Sequence, residues 1–458
     1  MGIRCADRNE PREPDGPSPD VRGAHRRRRR PRRRVAPRFI PHPEVRAAVA
    51  LDLLWIGLTL LASLASLASV ASILQGIRLR GGVRRAVRLA LGAFLPSVAM
   101  ILPVRGLDEG FDQNARALLS QEYPRYRLLV VADDADDPAS ARIQTIAREL
   151  PRVPVAAIVS DPSSLRGKVN ALRSALAHLR PEDEVVVFAD SDIRPAPDWL
   201  RQLVQPLADS TVGVATGFRW YIPPRPTFWS LVRAEWNAVS ANVLFDPRRS
   251  FAWGGSCALR VDRLKQLRLE HRWREVLSDD LVLTQAVRDE GLKIAYVPAA
   301  LVPTFEGADR STCTEWCFRQ MTMATLYLPI VRRYARAAFS VFIGSIFFGF
   351  ACLALAWIGG VAYLIPAALF FAPLPASILK ASLRRRALFS AAPSVAAAWG
   401  VPAWRTAIAA VAVPWVMAAG LLRTRRPTTV RWRGHIYDVS DPHHVRLLEV
   451  ATPREIAV

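Results

Sequence analysis

A chain of 458 residues is long enough for a complete catalytic domain and for further elements beside it. Its apolar fraction is 51%, although it carries 62 lysines and arginines against 40 acids, a formal charge of +22. This charge is typical of nucleic-acid binding, but many of the basic residues lie beside long apolar segments, at 78–88, 332–336 and 384–386. Such placement favours contact with anionic lipid headgroups, so we predict a membrane partner and no nucleic-acid partner.

Residues 1–46 are rich in arginine and proline and include RRRRRPRRR at 26–34. We predict that this extension is disordered. Its composition is compatible with an anion-binding arm or with an extension that has no function. If this tract and the basic run 78–88 both followed the positive-inside rule, the single span between them could not satisfy both. This conflict favours the extension without function.

Long apolar segments predict helices that cross the ~30 Å hydrocarbon core of a membrane. The first is 47–77, in which residues 53–76 carry no charge. Residues 337–379 also carry no charge and suit two crossings that turn near Gly359 and Gly360. Within 387–422 we predict one further span, at 406–422, preceded by an interfacial segment, and 423–458 form a tail.

Between residues 95 and 335, short apolar strands alternate with helical stretches. Strands are predicted at 96–104, 127–133, 155–160 and 184–190, with helices around 112–120, 139–150 and 167–178. This alternation is typical of an α/β domain whose parallel strands are joined by crossover helices. Ligands of such sheets bind at the carboxyl ends of the strands. The acids that follow these strands, Asp133, Asp134, Asp190 and Asp192, are therefore candidate site residues.

Asp190 and Asp192 stand two residues apart in FADSDIRP (188–195). The turn after the strand rotates the second side chain back toward the first, so both carboxylates can face one Mg²⁺ or Mn²⁺ ion. A lone DxD is a weak signal, but VVADDADDPA (130–139) places more acids at an earlier strand end. Lys168, in RGKVNAL (166–172), stands at a predicted helix start and suits a negatively charged ligand.

These motifs belong to a longer ordered series: ILPVRG (101–106), DDADDPA (133–139), GKVNAL (167–172), FADSDIRP (188–195), GGSCALR (254–260), LSDDLVLTQAVRDEGLKI (277–294) and FRQMTM (318–323). In this series the chain resembles family-2 glycosyltransferases of the GT-A fold, particularly the ceramide glucosyltransferase-like branch and its hopanoid-associated bacterial relatives. The resemblance covers roughly 97–335 and extends to the flanking spans. It implies an α/β GT-A nucleotide-diphospho-sugar transferase domain, with a mixed, mostly parallel sheet and flanking helices, plus transmembrane helices.

The resemblance also implies the reaction. A sugar of the glucose or N-acetylglucosamine type passes, with inversion, from a UDP-sugar to a membrane lipid such as ceramide, a hopanoid or a diacylglycerol-type lipid. Such a transfer needs one carboxylate to take the proton of the acceptor hydroxyl and a cation to stabilise the leaving diphosphate. Asp280, the second acid of SDDL, matches the catalytic base of the family.

For the donor site, the resemblance implies that Asp133 or Asp134 holds the uridine and that Lys168 lies near the nucleotide. Asp190 orients the donor and shares the Mg²⁺ or Mn²⁺ ion with Asp192. Arg319 retains the first position of the family's (Q/R)xxRW motif and belongs to the nucleotide-sugar site. Thr322 and Met323 stand where that motif has arginine and tryptophan.

Two other functions remain open at this stage. A processive polysaccharide synthase of the same family is disfavoured by the few spans and by the missing Arg–Trp pair. An inactive nucleotide-sugar or lipid-binding membrane protein is disfavoured by the intact Asp190, Asp192 and Asp280. Because nucleotide sugars are made in the cytoplasm, we predict a multi-pass protein of the cell inner membrane whose catalytic domain faces the cytoplasm.

Three further features have no assigned role. Trp229, Arg233 and Trp236 share one side of a predicted helix, which suits core packing or docking on a membrane surface. The tail segment TTVRWRGHIYDV (428–439) resembles the tail of the same branch. The histidines of the tail, His435, His443 and His444, are predicted to lie on the surface.

Overall fold

The structure is a computed structural model that describes residues 42–88, 92–424 and 428–450. The chain divides into two units. The described part of the first unit, Met1–Ala50, is the start of helix α1 (Pro43–Val87). The second unit, Leu51–Val458, holds the other elements. The predicted disordered extension covers residues 1–46, and its residues 1–41 lie outside the described residues.

Seven strands form one sheet: β1 (Val98–Val104), β2 (Tyr126–Ala132), β3 (Val155–Val159), β4 (Val185–Ala189), β5 (Val212–Tyr221), β6 (Ser256–Arg260) and β7 (Lys293–Thr304). Their order is β3-β2-β1-β4-β6-β5-β7. β6 is antiparallel to β4 and β5, whereas the other neighbours are parallel. The predicted mixed, mostly parallel sheet is confirmed.

Helices cover both faces of this sheet: α2 (Phe111–Leu119), α3 (Pro138–Glu149), α4 (Lys168–Leu176), α5 (Trp199–Val204), α6 (Phe228–Val239), α7 (Val261–Gln266), α8 (Leu269–Arg272), α9 (Asp279–Asp289) and α10 (Arg310–Tyr327), with 3-10 turns at Gln205–Ala208 and Ser240–Val243. Met100 and Leu102 share one hydrophobic core cluster with residues of α2, α3 and α5, and Ile101 shares a second cluster with residues of α4, α8 and α9. Successive side chains of a strand point to opposite faces, and both faces are covered here, which explains why β1 is apolar throughout.

In the part of the chain that the structure describes, four helical segments are long and apolar enough to cross a membrane. They are Pro43–Val87, Pro329–Gly359 (α11), Val361–Phe389 and Ala403–Arg423 (α15). The third comprises a 3-10 turn (Val361–Tyr363), α12 (Leu364–Phe371) and α13 (Pro373–Phe389), and the short α14 (Pro393–Ala398) follows it. Gly360, with φ of 105°, separates α11 from the third segment in a conformation that favours glycine. The predicted fold class, an α/β sheet domain with membrane-length helices, is confirmed.

The tail folds into a second sheet of β8 (Thr429–Trp432), β9 (His435–Asp438) and β10 (Arg446–Val450), all antiparallel. Arg433 and Gly434 form the turn between β8 and β9 with φ of 48° and 76°, as expected for a tight hairpin turn. Val430 and Tyr437 pack into the same core cluster as α4 and α9. The tail is therefore part of the fold around the large sheet.

The aromatic side of α6 is core. Arg233 is 1% exposed, and its Nη1 lies 3.0 Å from Glu306 Oε2. The ring of Trp236 lies 4.9 Å from that of Trp316 in α10. Of the two interpretations that the sequence left open for Trp229, Arg233 and Trp236, these contacts favour packing between helices.

Candidate functional site

The candidate site lies at the carboxyl ends of the parallel strands. Val104 of β1 pairs with Ala132 of β2, so Arg105 and Asp133 leave the sheet side by side. Arg105 Nη1 accordingly lies 3.2 Å from Asp133 Oδ2. Asp190 follows the last residue of β4 at the same edge.

Side chains of alternating charge line this edge. Lys168 Nζ lies 2.9 Å from Asp190 Oδ1 and 3.2 Å from Asp279 Oδ2. Arg219 Nη2 lies 2.8 Å from Asp190 Oδ2 and 2.7 Å from Asp192 Oδ1. The structure therefore brings three predicted site residues together, Lys168, Asp190 and Asp192, and adds Asp279 and Arg219 to them.

Arg219 projects from β5 and is fixed by aromatic side chains. Its Nη1 donates to Tyr221 Oη at 2.9 Å, and its Cζ lies 4.9 Å from the centre of the Trp253 ring. The side chain is 10% exposed. Contacts with aromatic faces and with two carboxylates together stabilise a buried guanidinium group. No motif in the sequence marked this arginine.

The two carboxylates of the DxD motif are placed to share a cation. One oxygen of Asp190 and one of Asp192 contact the same nitrogen atom of Arg219. One or two carboxylates are the usual protein contribution to a Mg²⁺ site, in which water and phosphate oxygens supply the other ligands. No group of three or more His, Cys, Asp or Glu side chains suited to a metal occurs among residues 42–88, 92–424 and 428–450. The residues fit a cation that a diphosphate helps to hold, rather than a cage built from protein alone.

Burial changes the protonation of these acids. The pKa of Asp192 is raised to about 6, first by burial and further by Asp190, against the lowering effect of Arg219. Burial is also the main reason that the pKa of Asp279 is raised to about 6. For Asp190, burial acts in the same direction, but Lys168 and Arg219 outweigh it and lower the pKa below its ordinary value. Asp190 is thus the most firmly ionised of the three.

Two glycines let the acids approach the backbone. Asp190 N donates to the carbonyl oxygen of Gly255 at 3.2 Å. A Cβ on Gly254 would overlap the Asp279 carboxylate, and one on Gly255 would overlap the Asp190 carboxylate and the Trp253 ring. The GGSCALR motif therefore has a steric explanation at this site.

Asp280 lies in the first turn of α9, where Ser278 is the N-cap residue. Its Oδ1 accepts hydrogen bonds from Ser278 Oγ at 2.6 Å and from Leu281 N at 2.8 Å. Its Oδ2 accepts none from the described side chains or backbone, and the residue is half-buried. Burial lowers the pKa of Lys168, but Asp190, Asp279 and Asp280 raise it overall, which places Asp280 within electrostatic reach of the cluster.

Asp133 is enclosed by the fold, with 7% of its side chain exposed. Its Oδ1 accepts from Ser160 Oγ at 2.8 Å and from Gly167 N at 3.4 Å. Its Oδ2 faces Arg105 and lies 3.6 Å from His435 Nε2. These contacts tie the ends of β2 and β3, the start of α4 and the tail together.

Asp134 lies at the margin of the cluster. Its side chain is 45% exposed, and its Oδ1 lies 3.4 Å from Arg166 Nη1. Of the two acids that follow β2, Asp134 is therefore the one accessible to a ligand.

Arg319 projects from α10 toward the tail. Its Cζ lies 5.7 Å from the centre of the Trp432 ring. Burial lowers its pKa, and the nearby Arg433 and Arg219 lower it further. Within the described ranges its guanidinium group forms no hydrogen bond or ion pair, so its donors remain available.

The surface prediction for one histidine is wrong. His435 is 1% exposed, because β9 places it on the inner side of the tail hairpin against Asp133. His443 and His444 are exposed, as predicted. The residues that sequence reasoning missed, Arg219 and His435, reach the site from strands distant in sequence.

The candidate site thus has acids at the carboxyl edge of a mixed sheet, and membrane-length segments precede and follow this sheet in sequence. The family model of glycosyl transferase family 21 matches residues 59–445. The chain therefore belongs to glycosyltransferase family 21 and is a glycosyltransferase. The finding confirms a glycosyltransferase, but the family that it shows is family 21, whereas the motifs in the sequence resembled family-2 enzymes. The hopanoid-associated branch stays a prediction.

Solved structures with detectable similarity are distant. A mannosyltransferase from Pyrobaculum calidifontis, in complex with GDP-Man and Mn²⁺, is 19% identical with a TM-score of 0.42, over 79% of this chain and 98% of that chain. Glucosyl-3-phosphoglycerate synthase from Mycobacterium tuberculosis, in complex with Mn²⁺, UDP-glucose and glycerol 3-phosphate, is 18% identical with a TM-score of 0.33, over 50% and 79%.

Proposed function

We propose that this family 21 glycosyltransferase moves a sugar of the glucose or N-acetylglucosamine type, with inversion, from a UDP-sugar to the hydroxyl group of a membrane lipid. Ceramide, a hopanoid and a diacylglycerol-type lipid are the acceptor classes. The observation that carries the proposal is the cluster of Lys168, Asp190, Asp192 and Arg219 at the carboxyl edge of the sheet. It combines cations for a diphosphate with two carboxylates for a metal ion.

In this proposal Asp190 and Asp192 hold Mg²⁺ or Mn²⁺. When bound, the divalent cation stabilises negative charge on the leaving diphosphate. Asp190 also orients the donor, since its firmly ionised carboxylate is held between Lys168 and Arg219. Lys168 and Arg319 contact the nucleotide sugar in this proposal: Lys168 begins α4, and Arg319 has donors without a partner among the described residues.

The uridine is held by Asp134 or Asp133. Accessibility favours Asp134, because the contacts with Ser160, Gly167 and Arg105 already use both oxygens of Asp133. Asp133 then acts by fixing the strand ends around the nucleotide.

Asp280 is the general base. Its Oδ2, which is free in the described structure, takes the proton of the acceptor hydroxyl as that oxygen bonds to the anomeric carbon of the sugar. The bond between this carbon and the diphosphate oxygen breaks, UDP leaves, and the proton remains on Asp280. A single displacement of this kind inverts the anomeric centre and requires no covalent intermediate.

The position of the spans supports a lipid acceptor. One membrane-length segment precedes the sheet domain in sequence and three follow it. An acceptor that stays in the bilayer then needs to present only its hydroxyl group to the domain. Because nucleotide sugars are made in the cytoplasm, we place the catalytic domain on the cytoplasmic side of the cell inner membrane.

The test uses the purified protein in detergent with radiolabelled UDP-glucose or UDP-N-acetylglucosamine, Mg²⁺ or Mn²⁺, and a total lipid extract. A chloroform-soluble product that is lost in Asp280→Asn supports the proposal. The matched control is Asp289→Asn at the exposed end of α9, which should leave the rate unchanged. A water-soluble polymer would indicate a processive synthase, and UDP-sugar binding without turnover would indicate an inactive binder.

A further inference from the structure

The tail hairpin, defined as Thr429–Asp438, lies at the edge of the large sheet that carries the acids. Arg433 Nη1, at the turn of the hairpin, lies 2.7 Å from Asp108 Oδ1 and 3.2 Å from the carbonyl oxygen of Arg105. Both partners belong to the loop that follows β1. The turn is therefore held beside the carboxyl end of a central strand.

The buried side of the hairpin also fixes the start of α4. Tyr437 Oη donates to the carbonyl oxygen of Arg166 at 3.0 Å. A Cβ on Gly167, whose φ is 117°, would lie 2.5 Å from this hydroxyl oxygen. Gly167 directly precedes Lys168, so the hairpin packs against the loop that places the lysine beside Asp190.

Arg433 lies within the electrostatic field of the site acids. Burial lowers its pKa, but Asp108, Asp192 and Glu306 raise it above the ordinary value overall. Arg433 in turn contributes to the lowered pKa of Asp190. Asp108, which pairs with Arg433, also accepts a hydrogen bond from Ser191 Oγ, and Ser191 stands between Asp190 and Asp192. The guanidinium group is therefore linked through Asp108 to the DxD motif.

Part of this guanidinium group remains available. The Arg433 side chain is 37% exposed, and its contacts with Asp108 and Arg105 use Nη1 alone. Nη2 has no hydrogen-bond partner within the described ranges. Arg319, packed over Trp432 of the hairpin, offers further donors nearby. Thr322 and Met323 are 0% and 8% exposed, so neither side chain contributes a polar group to this surface.

We infer that the tail hairpin is part of the donor site and that Arg433 binds the diphosphate of the nucleotide. Two available guanidinium groups beside two metal-binding carboxylates suit a diphosphate, because a planar guanidinium group pairs with phosphate oxygens through parallel hydrogen bonds. Trp432 positions Arg319, and Tyr437 and His435 hold the hairpin on the domain. The inference rests on the proposed function for the uridine of the donor.

The experiment titrates the full-length protein in detergent and Mn²⁺ with UDP and, separately, with uridine. Arg433→Gln should raise the dissociation constant of UDP at least about tenfold, and a tenfold change corresponds to ~1.4 kcal/mol. The same substitution should leave the affinity for uridine unchanged. Arg433→Lys should restore part of the UDP affinity. Arg431→Gln is the matched control, since Arg431 is exposed one residue before Trp432 and on the other side of β8.

Three results would overturn the inference. They are UDP affinity in Arg433→Gln equal to that of the wild type, equal loss of UDP and uridine binding, and absence of UDP binding by the wild type.

The lipid-transfer assay separates this inference from the proposed function. If UDP binding depends on Arg433 but no label reaches lipid, the proposed acceptor is wrong and the hairpin site stands. If label reaches lipid at the same donor KM in Arg433→Gln, the hairpin site is wrong and the proposed function stands.

Discussion

Gly254 shows how little space separates the acids from the backbone. Its missing Cβ would overlap the Asp279 carboxylate and lie 3.1 Å from Lys168 Nζ. Gly254→Ala should therefore displace the Lys168–Asp190 pair and lower the transfer rate on the order of a hundredfold, the effect expected from a ~1 Å misplacement. The rate is measured in the lipid assay, with circular dichroism to check folding.

Gly307→Ala is the matched control for this substitution, because no atom lies within 4 Å of the added Cβ. It should retain the wild-type rate. A wild-type rate in Gly254→Ala would contradict the close packing described for the site.

Arg219 lies between the carboxylates of Asp190 and Asp192, the two residues that would hold a divalent cation. Arg219→Gln removes a positive charge 2.7–2.8 Å from both acids, so it should tighten Mn²⁺ binding by about tenfold in the absence of nucleotide. Electron paramagnetic resonance of free Mn²⁺ measures this affinity. The exposed Arg225→Gln should leave it unchanged. Weaker Mn²⁺ binding in Arg219→Gln would show that Arg219 supports the metal site instead of competing with it.

The pKa of Asp192 predicts how metal binding at this site depends on pH. Its pKa is raised to about 6, mainly by burial, with Asp190, Asp108 and Glu306 adding to the rise and Arg219 opposing it. Because the raised pKa leaves the carboxyl protonated and neutral below about 6, Mn²⁺ affinity should fall as the pH is lowered through that value. Titrations at three pH values across this range measure the effect. An affinity that does not change with pH would contradict it.

The site residues that the sequence predicted reach the site in a different way from Arg219, which it did not predict. Asp190, Asp192 and Lys168 follow directly from motifs at strand and helix ends, and parallel strands bring such ends to one edge. Arg219 lies inside β5, where all ten residues are buried, so no pattern distinguishes it from a structural arginine. Its contact with Asp190 depends on β6 lying between β4 and β5, which local patterns do not reveal.

At the scale of elements, a buried ion pair links the sheet domain to a membrane-length segment. Arg384 Nη2 of α13 lies 2.7 Å from Glu235 Oε2 of α6, and these side chains are 3% and 1% exposed. Glu235→Gln leaves the arginine charge buried without its partner, so it should lower the free energy of unfolding by ~3–5 kcal/mol. Thermal unfolding in detergent measures this loss.

The control for this pair is Glu315→Gln on the exposed side of α10. It should change the unfolding midpoint little, since exposed polar substitutions have small effects. Equal midpoints for Glu235→Gln and the wild type would mean that the pair does not hold α6 and α13 together.

Local patterns also predicted some elements better than others. The strand predicted at 184–190 contains β4, and that at 127–133 overlaps β2, because apolar runs bounded by helical stretches mark buried parallel strands. The tail hairpin escaped prediction. Its signals were the alternation of Val430 and Trp432 and the Arg433–Gly434 turn, but its docking on Gly167 depends on contacts across most of the chain.

At the scale of the whole molecule, the chain joins an acid-lined α/β domain to four segments of membrane length. The sequence predicted this combination from two patterns. Long uncharged apolar segments are typical of membrane spans, and short apolar strands that alternate with helices are typical of crossover folds. The same patterns carry no information about the lipid or the sugar.

The central claim is a single displacement onto a lipid hydroxyl with Asp280 as base. The measurement that tests it most directly is proton NMR of the chloroform-soluble product formed from UDP-α-glucose or UDP-α-N-acetylglucosamine. The account predicts a β-linked sugar on the lipid, formed by the wild type and absent with Asp280→Asn. An α-linked glycolipid, or a β-linked product that persists in Asp280→Asn, would contradict the mechanism.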